Sequence, residues 1–165
     1  MWLSKRQFVG LSLLIALPGC GFTPAYAPGG GGRALQNTIL AAAPRDKPAF
    51  DLVERIEERL GPSDSPRYAL NYQISLNPIG VAISTSNAIT RYNLTGSVKW
   101  ELADSATGAR LTGGTAENFT SYSATGSTVA GLAAEEDASL RLMRILADQI
   151  VTQLLATSGQ WANAE

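Results

Sequence analysis

The sequence predicts an α+β domain in two layers: a mostly antiparallel sheet of about four strands with two helices packed on one face. Three observations carry that prediction. Long runs between about residues 68 and 122 alternate apolar with polar side chains. Turn residues punctuate those runs, so neighbouring strands join as hairpins. Two further segments, over 48–60 and up to residue 155, place apolar residues at helical spacing. At 165 residues, one domain is expected, able to bury roughly two-thirds of its unfolded surface.

The chain opens with Lys5 and Arg6, runs apolar over 8–17, and reaches its single cysteine at Leu17-Pro18-Gly19-Cys20. A basic start, an apolar stretch too short to span a bilayer and small residues have the layout of a secretory signal over 1–19. A lone cysteine at this point resembles the bacterial lipoprotein signal, although Pro18 sits where a small or β-branched residue is usual. In that signal the thiol is diacylated and becomes the first mature residue, so an S-diacylglycerol and N-acyl lipid is expected on Cys20. No other cofactor is expected. Each buried methylene contributes about 0.8 kcal/mol, and one chain alone binds only marginally, so two or three chains hold a protein at a membrane. Gly21 in place of an aspartate directs such proteins to the outer membrane. The alternative is an ordinary secretory signal cleaved after Ala25 or Ala27, with Cys20 discarded.

Residues 20–34, with the run Gly29-Gly30-Gly31-Gly32, read as a lipidated start and flexible tether. The folded domain is expected over 35–157 and a polar tail over 158–165. A first strand is predicted over 35–43. A helix follows over 48–60, with Pro48 in its first turn, Asp51 and Glu54 at capping-box spacing, and Gly61-Pro62 as its stop. Leu52, Val53, Ile56 and Leu60 form its inner face. In the next strand Tyr68, Leu70, Tyr72, Ile74 and Leu76 alternate with polar residues; Asn77-Pro78 breaks the run, which resumes through a bulge toward Ile83. Tyr92, Leu94, Val98, Trp100 and Leu102 define one face of a second strand, with Gly96 among them. Arg91, Asn93, Thr95, Ser97, Lys99 and Glu101 define the other. The turn Asp104 to Gly108 leads to a third strand over 109–122. A closing helix starts at Thr128 or Leu132 and ends near Leu155. Leu142, Met143, Leu146, Ala147, Ile150 and Leu154 form its inner stripe, with Arg141, Arg144 and Asp148 opposite. Trp161 falls in the tail.

Composition excludes more than it selects. Loss of residues 1–19 removes Lys5 and Arg6, leaving 11 basic residues against 14 acidic and a net charge of about −3, which argues against nucleic acid as a partner. The chain has no histidine and no second cysteine, which removes the commonest general base, the commonest metal ligand and any disulfide framework. Neither a catalytic site nor a metal site is expected. What the chain does offer is cations on a polar strand face. Arg91 and Lys99 share parity eight residues apart, roughly 26 Å along a strand, and Arg110 lies near Lys99 across the hairpin. These three are the candidate anion-binding residues, against the plainer reading of solubilising surface charges.

Several stretches resemble one family in order. They are Cys20-Gly21-Phe22-Thr23-Pro24-Ala25-Tyr26, Pro66-Arg67-Tyr68-Ala69-Leu70, Arg91-Tyr92-Asn93-Leu94, the Thr107-Gly108 turn, Ser121-Tyr122-Ser123, and Leu146-Ala147-Asp148-Gln149-Ile150 with Leu154. The chain is similar to the LPS-assembly lipoproteins of the LptE family across nearly all of its mature length. That resemblance implies the small lipoprotein subunit of the outer-membrane lipopolysaccharide translocon. Its members sit within the partner β-barrel LptD on the periplasmic side, plug it, help it assemble, and bind lipopolysaccharide (LPS) through basic side chains. The runner-up is another outer-membrane lipoprotein adaptor, such as a barrel-assembly accessory or an envelope scaffold.

Overall fold

Strand, helix and turn elements follow one another in the computed structural model, which describes residues 31–124 and 126–162. They are α1 (Gly31–Leu35), β1 (Ile39–Ala41), α2 (Lys47–Leu60), β2 (Tyr68–Ile83), β3 (Ile89–Asp104), β4 (Arg110–Ser123) and α3 (Thr128–Trp161). The sheet order is β1-β2-β3-β4, with β1 parallel to β2 and the remaining pairs antiparallel. The predicted class therefore holds: an α+β fold with a four-stranded, mostly antiparallel sheet and its helices on one face. The expected signal over 1–19, Cys20 and the greater part of the tether lie outside the described residues, as do residues 163–165.

Alternation in β3 becomes a two-sided strand. Leu94, Val98, Trp100 and Leu102 are buried beneath the helical layer, whereas Lys99 and Glu101 are exposed. Gly96 interrupts the apolar side for a reason. A Cβ there would lie 2.8 Å from Leu142 Cδ2 and 3.1 Å from Leu146 Cδ1, so the missing side chain lets α3 approach the sheet. The predicted break at Asn77-Pro78 does not occur: β2 pairs with β3 straight through Pro78, opposite Leu94. Because β1 reaches only to Leu70, β2 is an edge strand beyond that point, where a residue without an N–H is tolerated. The irregularity falls later, between Gly80 and Ile83.

The start of the domain departs from expectation. Leu35 ends a short helix instead of opening a strand, and the first strand shrinks to three residues. Asn37 takes a left-handed conformation (φ 58°) that stops α1, and its N–H donates to Leu60 O at 2.8 Å. Gly61 ends α2 with φ 79°, its N–H donating to Glu57 O, and a Cβ there would lie 2.0 Å from Asn37 Oδ1. The two helix ends thus interlock. At the other end of α2 the N-cap is Asp46, whose Oδ1 accepts from Ala49 N–H at 2.8 Å, so Asp51 and Glu54 form no capping box. Asp51 is instead buried within the helix and paired with Lys47.

The C-terminal end is also firmer than expected. Helix α3 continues through Gly159 to Trp161, because Trp161 packs edge-on against Tyr68 at 5.2 Å and donates from Nε1 to Thr157 Oγ1. The indole closes the core beside the first residue of β2, and Arg67 lies over the Tyr68 ring. Asp148, expected on the outer face of α3, joins the two helices. Its carboxylate accepts from Arg55 Nε and Nη2 at 3.1 and 3.0 Å and from Arg59 Nη1 at 2.7 Å. The bonds to Asp148 and then Glu58 hold the Arg55 guanidinium protonated beyond its ordinary range.

Replacing Trp161 by alanine is expected to cost about 3 kcal/mol of unfolding free energy in urea, as for other buried aromatics; a change below about 0.5 kcal/mol would return Trp161 to a solvated tail. A second prediction concerns the Asp104 carboxylate. It accepts first from the Thr107 N–H and hydroxyl and then from Ala106 N–H, near Arg67, and is held below the ordinary 3.8. A depressed acid contributes stability above its unfolded value that disappears as pH falls through the folded value. The stability gap between wild type and Asp104→Asn should therefore be full at pH 6 and close below pH 3.8. A gap independent of pH would remove the carboxylate from the turn's energetics.

Candidate functional site

Odd-numbered residues of β3 point away from the helices, and their cross-strand partners complete a polar face. Lys99 stands between Gln73 of β2 and Thr115 of β4. Around it is an open depression of about 520 Å³, lined among others by Asn71, Gln73, Glu101 and Arg110. Arg110 reaches this face through a register shift at Leu102/Ala103, which leaves it opposite Ala103 with Leu111 as the extra residue. Its Nε lies 3.0 Å from Glu101 Oε2. Gly113 makes that crossing possible, since a Cβ there would meet Arg110 Nη2 at 2.7 Å and Trp100 O at 2.8 Å. On the opposite side Gly114 leaves room for the Trp100 ring, whose Nε1 donates to Gln153 Oε1 of α3 at 3.0 Å.

The three candidate cations therefore separate into two places. Lys99 and Arg110 share one depression, where Glu101 pairs with the arginine at the surface. Arg91 lies toward the far end of β3, paired in register with Ala82 and Ser123, and is exposed. Between them the face carries hydroxyls and amides together with the exposed Glu117 carboxylate and the exposed Ile79. Thr95 Oγ1 donates to Asn77 O at 2.9 Å, and Ser121 Oγ donates to Asn93 Oδ1 at 2.6 Å. Phe119, 58% exposed, borders this strip. Guanidinium and ammonium groups at its two ends are donors of the kind that suit anions.

Ionisable groups elsewhere are tuned by packing. Burial first, then the charge of Asp46, pushes the Tyr72 phenol up, and its hydroxyl donates to Ala42 O. Burial first, then Glu135 and Tyr92, raises Tyr122, which stacks on Tyr92 at 5.3 Å. Among the described residues no three His, Cys, Asp or Glu side chains gather where a metal would bind, and no helix is long and apolar enough to cross a membrane. Sequence reasoning anticipated that Arg110 would approach Lys99. It missed the Glu101 pairing and the need for Gly113, whose one signal was a glycine pair inside a strand.

Comparison with known proteins places this architecture. The family model described as LptE, lipopolysaccharide-assembly, matches residues 37–154. None of the curated proteins matches the chain by sequence. Among solved structures, a candidate lipoprotein of Caulobacter crescentus CB15 is 22% identical, with TM-score 0.66, over 79% of this chain and 96% of that one. The rare lipoprotein B of Shewanella oneidensis is 15% identical, with TM-score 0.58, over 75% and 96%. An uncharacterized lipoprotein B of Nitrosomonas europaea is 18% identical, with TM-score 0.55, over 74% and 83%. At these identities the structures share the fold. The family match is broader in meaning, since it runs from the turn before β1 into the last third of α3: the chain belongs to the LptE family of lipopolysaccharide-assembly proteins.

Proposed function

We propose that this protein is the lipoprotein subunit of the outer-membrane lipopolysaccharide translocon, anchored by acylated Cys20, plugging and helping assemble the LptD barrel, and binding LPS during its delivery to the cell surface. The family match over 37–154 carries this reading. Shape and surface support it. The sheet's long strands of 16 residues make a rod about 53 Å long. Four strands about 4.8 Å apart under one helical layer keep it narrow enough for a wide barrel with a plugged lumen. The interior of such a barrel is polar, which matches the largely polar sheet face. Lys99, Arg91 and Arg110 offer the donors that phosphate groups on LPS require, and the role is one of binding and assembly, not catalysis.

The pairing of Glu101 with Arg110 turns this reading into a signed test. Charge reversal by Arg91→Glu with Lys99→Glu is expected to weaken LPS binding by roughly tenfold or more, with the thermal unfolding midpoint unchanged. Glu101→Gln, which frees Arg110, is expected to tighten it. Binding of labelled LPS to the full chain by fluorescence anisotropy reads both. Affinity unmoved by all three substitutions would remove the polar face from LPS recognition.

A further inference from the structure

The helical layer does not cover the whole sheet. Strands β2 and β3 have 16 residues each, about 53 Å, and α3 with 34 residues is about 51 Å long. Helix α2 has 14 residues, about 21 Å, and packs over the half of the sheet nearest Tyr68. Beyond its first turn only α3 remains among the described residues. The result is a groove of about 640 Å³ closed at one end by Pro48, floored by Leu76, Pro78 and Leu94, and walled by Leu132 and Leu140. Leu132 is 59% exposed, an apolar side chain without a complete core around it.

The rim of this groove is acidic. Asp51 is balanced by Lys47 and Asp137 by Arg141, but Glu135 and Glu136 have no ion pair among the described residues. Two uncompensated carboxylates beside an apolar floor repel a phosphorylated amphiphile and attract a cation. Among the described residues the open part of the layer continues past Pro48 alongside α3, beside the apolar floor a further helix could cover. We propose that this groove docks an amphipathic helix of a partner protein, its apolar face on Leu76, Leu94 and Leu132 and its Lys or Arg flank on Glu135 and Glu136. The groove lies on the opposite side of the sheet from Lys99 and Arg110, so its occupant and the polar-face ligand are separable.

The test uses the full chain in phosphatidylcholine nanodiscs and two fluorescein-labelled model peptides, each a helix with a leucine face, one flanked by lysine and one by glutamate. The lysine peptide is expected to bind at least tenfold more tightly than the glutamate peptide. Leu132→Ser should weaken it at least tenfold, and Glu135→Lys with Glu136→Lys should reverse the preference. Glu135→Gln with Glu136→Gln, a milder pair, should reduce the preference with no change in unfolding midpoint. Equal binding of the two peptides, or binding indifferent to Leu132→Ser, overturns the proposal. So does either competing occupant: phosphatidylglycerol vesicles bound through Leu132 in place of the peptide, or a dimer in sedimentation that Leu132→Ser dissolves.

Discussion

Everything in this fold depends on how closely α3 lies along the sheet. That approach is set at Gly96, where a side chain would collide with Leu142 and Leu146. Once the helix is seated there, Leu142, Met143, Leu146, Ala147, Ile150, Val151 and Leu154 are all sealed from solvent between the sheet and α2. Each large buried aliphatic side chain contributes about 1.5–3 kcal/mol, so this contact line supplies a substantial part of the core. Thr120 Oγ1 donates to Ala138 O across the same boundary, which satisfies a buried hydroxyl. The ends of the line are fixed by different means: Trp161 against Tyr68 at the base, and the Asp148 carboxylate gripping Arg55 and Arg59 of α2 along the side.

Much of this was legible in the sequence because it follows from periodicity. The period-two pattern of β3 separates Leu94, Val98, Trp100 and Leu102 from Lys99 and Glu101, and the stripe from Leu142 to Leu154 identifies the inner face of α3. What escaped were features decided by distant partners. Pro78 reads as a break, yet it is harmless on an edge, and nothing local says that β1 stops at Leu70. Trp161 follows a serine and a glycine, which read as a helix end, but the Tyr68 ring some ninety residues earlier holds the helix on. Asp148 looks solvated until α2 brings two arginines to it. Asp51 and Glu54 fit a capping-box spacing, while the true cap, Asp46, sits one residue before the helix.

The candidate site shows the same division. Parity alone put Arg91 and Lys99 on one face and kept them apart. The bulge that turns Arg110 onto that face, and the glycine that lets it cross to Glu101, depend on register between strands. That pairing also changes what the site offers. A cation with a carboxylate partner is a weaker anion receptor than its formal charge suggests, because binding must first displace the partner. Among the described residues Lys99 has no ion-pair partner in the depression, and Arg91 stands apart from it toward the far end of β3. The surface thus mixes charges of both signs with hydrogen-bonding groups and the exposed Ile79 and Phe119.

Under the proposed function, a long, narrow body with one largely polar face fills a wide, polar lumen. The proposed partner is the LptD barrel. That partnership is tested most directly by co-purification of the tagged full chain from detergent-solubilised outer membrane, with mass spectrometry of the recovered proteins. The account predicts LptD in equal amount to the tagged chain. Recovery of a barrel-assembly complex without LptD, or of the tagged chain alone, would contradict it.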